Sequence, residues 1–192
     1  MDALIASTAL VALAEIGDKT QLLSFVLAAR MGRPLAICLG ILVATVLNHA
    51  LAAWLGALVA SVLSPEALRW IVGLAFIGCG LWALVPDKLD ETGVSDARGV
   101  FLTATLLFFM AEMGDKTQLA TVALGARFEN AYGWVVTGTT LGMLIANVPA
   151  VYIGQRLAQK LPVNWIRRIA AGLFIATGII TLSVGATSGH PV

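Results

Sequence analysis

The chain has 192 residues, of which 59% are hydrophobic, and its mean hydropathy is +0.91. Only 12% of the residues are charged, about half the share in a soluble domain, so the composition excludes most soluble folds and a disordered chain. A net charge of +1 gives no basic surface for nucleic acid, and Cys38 and Cys79 lie in apolar runs without disulfide or metal spacing. An integral membrane protein is expected.

Six apolar segments follow one another along the chain, and each is long enough for a membrane-spanning helix. They cover residues 3–29, 35–62, 67–85, 100–127, 133–157 and 166–186. The segments lack the alternation of apolar and polar residues that a membrane β-strand requires. The sequence therefore predicts an all-α membrane protein with six transmembrane helices.

Basic residues are distributed unequally between the two sides of these segments. Two of them, Arg69 and Arg127, follow segments two and four. The loops after segments one, three and five hold eight: Arg30, Arg33, Lys88, Arg98, Arg156, Lys160, Arg167 and Arg168. By the positive-inside rule the side with eight faces the cytoplasm, and both termini then lie outside.

A nine-residue motif occurs twice. Residues 14–22 read Ala-Glu-Ile-Gly-Asp-Lys-Thr-Gln-Leu, and residues 111–119 differ from them only by Met in place of Ile, at an offset of 97. With a slip of one residue, three glycines of the first half fall on glycines of the second: Gly40 on Gly138, Gly56 on Gly154 and Gly80 on Gly178. Segments one to three therefore repeat as segments four to six.

Three spans per repeat is an odd number, so the second repeat enters the membrane from the opposite side. We predict a first three-helix repeat at 1–85, a cytoplasmic acidic loop at 86–99 and an inverted three-helix repeat at 100–192. Transporters use this architecture for alternating access, with the site near the midplane where the repeats meet.

The motifs lie at membrane depth, where charges are costly unless they face one another, water or an ion. On a continuous helix Glu15, Asp18 and Lys19 share one face, as do their counterparts in the second motif. Hard divalent cations prefer the oxygen ligands that the motifs offer. The predicted metal ligands are Glu15, Asp18, Glu112, Asp115, Gln21 and Gln118, with Thr20 and Thr117 in support.

Two features of the motif leave alternatives open. Lys19 and Lys116 are either counter-ions that fill the site when the metal leaves or structural partners of Glu15 and Glu112 four residues earlier. Gly17 and Gly114 permit local unwinding, which would free carbonyl oxygens as ligands. The four acids and two lysines of the motifs net −2, which one divalent cation or two protons would neutralise.

Polar residues also occur in segments two and five. Asn147 is either a ligand or support for the site, or a hydrogen-bonding residue between helices. Asn48 lies at the matching place in segment two, next to His49. A lone histidine in a membrane segment is more often a packing residue than a proton or metal carrier.

The doubled Glu-x-Gly-Asp-Lys-Thr motif, at Glu15–Thr20 and Glu112–Thr117, resembles the signature of a family of six-helix cation/proton exchangers. That family includes Golgi and chloroplast manganese/calcium transporters and bacterial manganese exporters of the MneA type. The resemblance implies a multi-pass protein of the bacterial inner membrane that exports Mn²⁺ against H⁺, and with the orientation given by the basic residues both termini are periplasmic. Mn²⁺ or Ca²⁺ would be the transported substrate, and no prosthetic group is expected.

Three other functions are weighed against this one. A Ca²⁺/H⁺ antiporter is the near alternative, and a divalent cation channel is less favoured because inverted repeats with lysine counter-ions suit alternating access better. No nucleophile, base or cofactor motif supports an enzyme. The expected partners are the metal cation, protons and the lipid bilayer, without nucleic acid, and a homo-oligomer stays open.

Overall fold

The computed structural model describes residues 1–85, 99–153 and 163–184, and every regular element in these ranges is a helix. The predicted loop at 86–99 lies outside the described residues except for Gly99, as do Lys88, Arg98, Arg156 and Lys160. The helices are α1 (Asp2–Glu15), α2 (Lys19–Met31), α3 (Pro34–Val62), α4 (Pro65–Ala83), α5 (Val100–Glu112), α6 (Lys116–Arg127), α7 (Tyr132–Ile153) and α8 (Val163–Val184), with a 3₁₀ turn at Glu129–Ala131 before α7.

Within the described residues, three stretches of helix are long and apolar enough to cross a membrane. They are α3, α4 and the stretch Glu129–Ile153, which consists of the 3₁₀ turn and α7. Two shorter apolar helices, α5 and residues Arg168–Ser183 within α8, accompany them. The apolar helices therefore agree with the predicted all-α membrane protein, and the second, third and fifth predicted segments correspond to α3, α4 and α7.

The first and fourth predicted segments are each two helices instead of one. The backbone breaks inside the motif, where Gly17 has a φ of 82° and Gly114 a φ of 75°, both in the left-handed region that favours glycine. The predicted alignment of Glu15, Asp18 and Lys19 on one helix face is therefore wrong. Glu15 ends α1, while Asp18 caps the N-terminus of α2 and accepts a hydrogen bond from the Lys19 backbone N–H at 2.9 Å.

The two halves of the chain pack across each other in matching register. α1 packs on α7, and α5 packs on α3. A Cβ added to Gly138 of α7 would lie 2.7 Å from the Leu4 carbonyl oxygen of α1. Likewise, a Cβ added to Gly40 of α3 would lie 2.9 Å from the Phe101 carbonyl oxygen of α5. Glycine at these two related positions lets the backbones of each helix pair approach closely.

α4 and α8 form a separate pair. Phe76 and Phe174, which occupy equivalent positions in the two halves, stack with ring centroids 6.3 Å apart. Both rings belong to a buried cluster that includes Leu10 of α1 and Leu124 of α6. A second buried cluster is built from α1, α2, α3, α5 and α7, and within the described residues it has no member from α4 or α8. The α4–α8 pair thus covers only the half of the molecule that contains α1 and α6.

Candidate metal centre

Each helix break is fastened by the glutamine of its own motif. The Gly17 N–H donates to Gln21 Oε1 at 2.8 Å, and the Gly114 N–H donates to Gln118 Oε1 at 2.7 Å. The other end of each amide reaches a different helix, since Gln21 Nε2 donates to the Ala146 carbonyl oxygen at 3.0 Å and Gln118 Nε2 donates to Asn48 Oδ1 at 3.3 Å. Both predicted ligands therefore use their amide groups to hold the broken backbone in place.

Three carboxylates of the two motifs meet in the interior. Glu15, Glu112 and Asp115 each offer an oxygen within 4.8 Å of the others, and each residue is at most 1% exposed. Two ionised carboxylates about 4 Å apart repel by about 4 kcal/mol at an effective dielectric constant of 20. The cluster therefore needs a cation or protons to be stable, and these residues could hold a metal ion.

The hydrogen bonds of the cluster are unequal. Thr20 Oγ1 donates to Glu15 Oε2 at 2.5 Å, and the Thr117 hydroxyl donates to the other oxygen of the same carboxylate. Neither carboxylate oxygen of Glu112 has a hydrogen-bond partner among the described residues, and Asp115 Oδ2 also lacks one, although Asp115 Oδ1 has Lys19 Nζ beside it. A buried acceptor without a partner costs free energy, so a bound cation would stabilise Glu112 more than the other members of the cluster.

The motif lysines pair across the two halves of the chain. Lys116 Nζ lies 2.5 Å from Asp18 Oδ1, and Lys19 Nζ lies 3.0 Å from Asp115 Oδ1. The expected alternative, in which each lysine pairs with the glutamate four residues before it, is not what the structure shows. The helix break separates those residues, because the spacing that brings positions i and i+4 together exists only within one helix.

The two asparagines make contacts between or within helices near the centre. Asn147 Oδ1 accepts a hydrogen bond from the Ser24 hydroxyl at 2.8 Å, while its Nδ2 donates to the Met143 carbonyl oxygen at 3.1 Å. Asn48 Nδ2 donates to the Phe109 carbonyl oxygen at 3.0 Å. Both side chains thus act here as links that fix helices. Ser24 did not stand out in the sequence, where nothing distinguishes it from other small polar residues of a helix.

Comparison with known proteins identifies relatives of this chain. Residues 3–91 and 100–188 each match the family described as "Divalent cation/proton antiporter GDT1". A Vibrio cholerae protein named "Putative manganese exporter" is 52% identical over 181 residues, which cover 94% of this chain and 90% of that protein.

Plant relatives are more distant, and no solved structure matches the chain. "GDT1-like protein 5" of Arabidopsis thaliana is 29% identical over 215 residues, covering 92% of this chain and 93% of the relative. "GDT1-like protein 3" of Oryza sativa subsp. indica is 39% identical over 80 residues, which cover 42% of this chain and 28% of that protein. Because the family matches both halves and nearly the whole length, the chain belongs to the divalent cation/proton antiporter family GDT1.

Proposed function

We propose that this protein is a secondary active transporter that exports Mn²⁺ from the cytoplasm in exchange for protons. The observation that carries the proposal is the buried cluster of Glu15, Glu112 and Asp115, drawn from both halves of the chain. Membership of a cation/proton antiporter family supports coupled transport, and the name of the Vibrio relative supports manganese as the cargo.

The chemistry of the cluster suits a hard divalent cation. Its three residues offer only carboxylate oxygens, the donors that Mn²⁺, Mg²⁺ and Ca²⁺ prefer. Oxygen ligands alone distinguish poorly between Mn²⁺ and Ca²⁺. A Ca²⁺/H⁺ antiporter is therefore the second candidate, and it is supported by the same donor set.

The proposed topology makes each pair of broken helices one span. α1 has 14 residues and α2 has 13, which give helices about 21 Å and 20 Å long. Together they exceed a hydrocarbon core of about 30 Å, and α5 with α6 does the same. Six spans then form two inverted three-helix repeats in a bacterial inner membrane, with both termini in the periplasm and the metal centre near the midplane.

Exchange of metal ions for protons requires a site that binds either a metal ion or protons, but not both at once. Metal binding requires ionised carboxylates, whereas the empty cluster reduces its internal repulsion by taking up protons. Discontinuous helices at the midplane are a recurrent device of secondary transporters, because the ends of the half-helices point at the bound ion. Here α1 and α5 end at Glu15 and Glu112, two members of the cluster.

The test is metal-driven proton flux in proteoliposomes, with Mn²⁺, Ca²⁺ and Mg²⁺ compared. Glu112→Gln removes a charged ligand without changing its size, and we expect it to lower the flux at least about tenfold. Glu129→Gln is the matched control, because Glu129 is exposed in the 3₁₀ turn. Equal flux in the two variants would refute the proposed metal site. Metal flux that does not respond to an imposed pH gradient would refute exchange with protons. A larger response to Ca²⁺ than to Mn²⁺ would favour the Ca²⁺/H⁺ antiporter.

A further inference from the structure

The two ion pairs of the centre occupy different environments, although they come from identical sequence. In the pair of Lys116 with Asp18 both side chains are buried, with 4% and 0% of their surface exposed. In the pair of Lys19 with Asp115 the carboxylate is 1% exposed but the lysine is 25% exposed.

The carboxylates are divided in the same way. Asp115 lies in the cluster with Glu15 and Glu112, whereas Asp18 is not a member of it. The orphaned oxygens of Glu112 mark this cluster as the place where positive charge is missing. Three carboxylates and the ammonium of Lys19 leave a charge of −2 there, while Asp18 and Lys116 neutralise each other.

From these differences we infer that the two motif lysines have distinct tasks in the proposed transport cycle, on which this inference rests. Lys116 is a fixed partner that withdraws Asp18 from the metal centre. Lys19 is a displaceable counter-ion, which holds Asp115 while the centre is empty and yields its place to the arriving cation. In this conformation the metal ligands are thus Glu15, Glu112 and Asp115.

The physical reason lies in burial. Removal of one partner from a buried ion pair leaves an uncompensated charge and is strongly unfavourable, so the Lys116–Asp18 pair stays closed. Lys19 has room to move, because protein leaves a quarter of its side chain uncovered and its flexible stem can carry the ammonium group away from the cluster. A divalent cation then neutralises the three carboxylates more fully than one ammonium does.

Two double variants test the inference, and each removes one positive and one negative charge at equivalent positions. We expect Asp18→Asn/Lys116→Gln, in purified protein in nanodiscs, to keep the Kd for Mn²⁺ within about threefold of the wild type by calorimetry. Lys19→Gln/Asp115→Asn removes a ligand and should raise the Kd at least about tenfold. Equal losses, or a larger loss in the first variant, would overturn the inference.

Thermal unfolding without metal provides a second readout that does not depend on transport. Lys116→Gln should lower the Tm more than Lys19→Gln, because it removes the ammonium group that neutralises the buried Asp18. Adding Asp18→Asn to Lys116→Gln should restore part of the lost Tm. Equal Tm values for the two single variants would contradict the assignment.

The failure of the proposed function can be told apart from the failure of this inference. Wild-type protein that neither binds nor transports a divalent cation would refute the proposed function. Normal wild-type transport with equal losses in the two double variants would refute only this inference.

Discussion

The glycine of each motif, Gly17 or Gly114, determines where the neighbouring carboxylates lie. The positive φ at Gly17 and Gly114 stops α1 and α5 and starts α2 and α6 two residues later. The amide of Gln118 then accepts the Gly114 N–H, which the break would otherwise leave without a partner in the chain. One residue type therefore sets the positions of Glu112 and Asp115 on either side of the break.

Gly114→Ala should lower both stability and transport. A Cβ at Gly114 meets nothing within 4 Å, so its cost is only the strain of a left-handed backbone, about 1–3 kcal/mol. The Tm in detergent should fall, and metal-driven proton flux should fall with it because Glu112 and Asp115 shift. Gly78→Ala is the control, since Gly78 also has open space but lies within α4 without a positive φ. A Gly114→Ala protein as stable and active as the Gly78→Ala protein would contradict this account.

That acids of the two motifs converge could be predicted from the sequence, but not that Asp18 stays outside their cluster, nor how the acids pair with the lysines. A doubled motif at membrane depth requires its charges to converge, and Glu15, Glu112 and Asp115 do so. The pairing of Lys19 with Asp115 depends on where two chain segments cross. Sequence spacing reports only neighbours on the same helix, so the break at Gly17 removed the relation on which the predicted pairing relied.

Close approach of backbones determines how the helices around the centre are held. A Cβ at Gly56 of α3 would lie 2.0 Å from the Val122 carbonyl oxygen and 2.7 Å from the Ala126 nitrogen, both in α6. Gly125 of α6 approaches Ala53 of α3 in the same way, at 2.4 Å from its carbonyl oxygen. These contacts fix the height of α6, and thus of Lys116 and Thr117 at its start.

Gly56→Ala should therefore destabilise the protein by about 3 kcal/mol, toward the upper end of the cost of overpacking, because the atoms it meets are backbone and cannot rotate away. The measurement is thermal unfolding in detergent. Gly133→Ala serves as the control, as a Cβ at Gly133 meets nothing within 4 Å. If the two variants unfold at the same temperature, α3 and α6 are not held together by this contact.

At the scale of the whole molecule, the packing of α1 on α7 and of α5 on α3 follows the repeat, whereas the packing of α4 and α8 does not. α4 packs on α6 and α8 packs on α1, whereas the equivalent contacts of α8 with α2 and of α4 with α5 are at most marginal in the described residues. Near-identical motifs do not specify which of two mirrored packings the chain adopts, so this difference could not be predicted from the sequence. The proposed transport cycle would require the α4–α8 pair to move relative to α1 and α6, because alternating access needs one part of the fold to move against the other.

That requirement predicts that a tether between α4 and α6 stops transport. Ile71 of α4 and Leu119 of α6 are exposed and line the same cavity of about 360 Å³, which extends to Val59 of α3. In a background with Cys38→Ala and Cys79→Ala, the variant Ile71→Cys/Leu119→Cys is treated with a bis-methanethiosulfonate long enough to span this cavity. Proton-coupled Mn²⁺ flux should then fall to the level of empty liposomes, because a joined α4 cannot leave α6.

Two controls separate the tether from the chemical modification. The single variants Ile71→Cys and Leu119→Cys, treated with the same reagent, carry the adduct without the cross-link and should keep their flux. A reductant should break the cross-link and restore transport in the double variant, since the protein itself is unchanged. Full flux through quantitatively cross-linked protein would show that α4 and α6 stay together throughout the cycle, and the movement that exposes the centre would then have to occur between other helices.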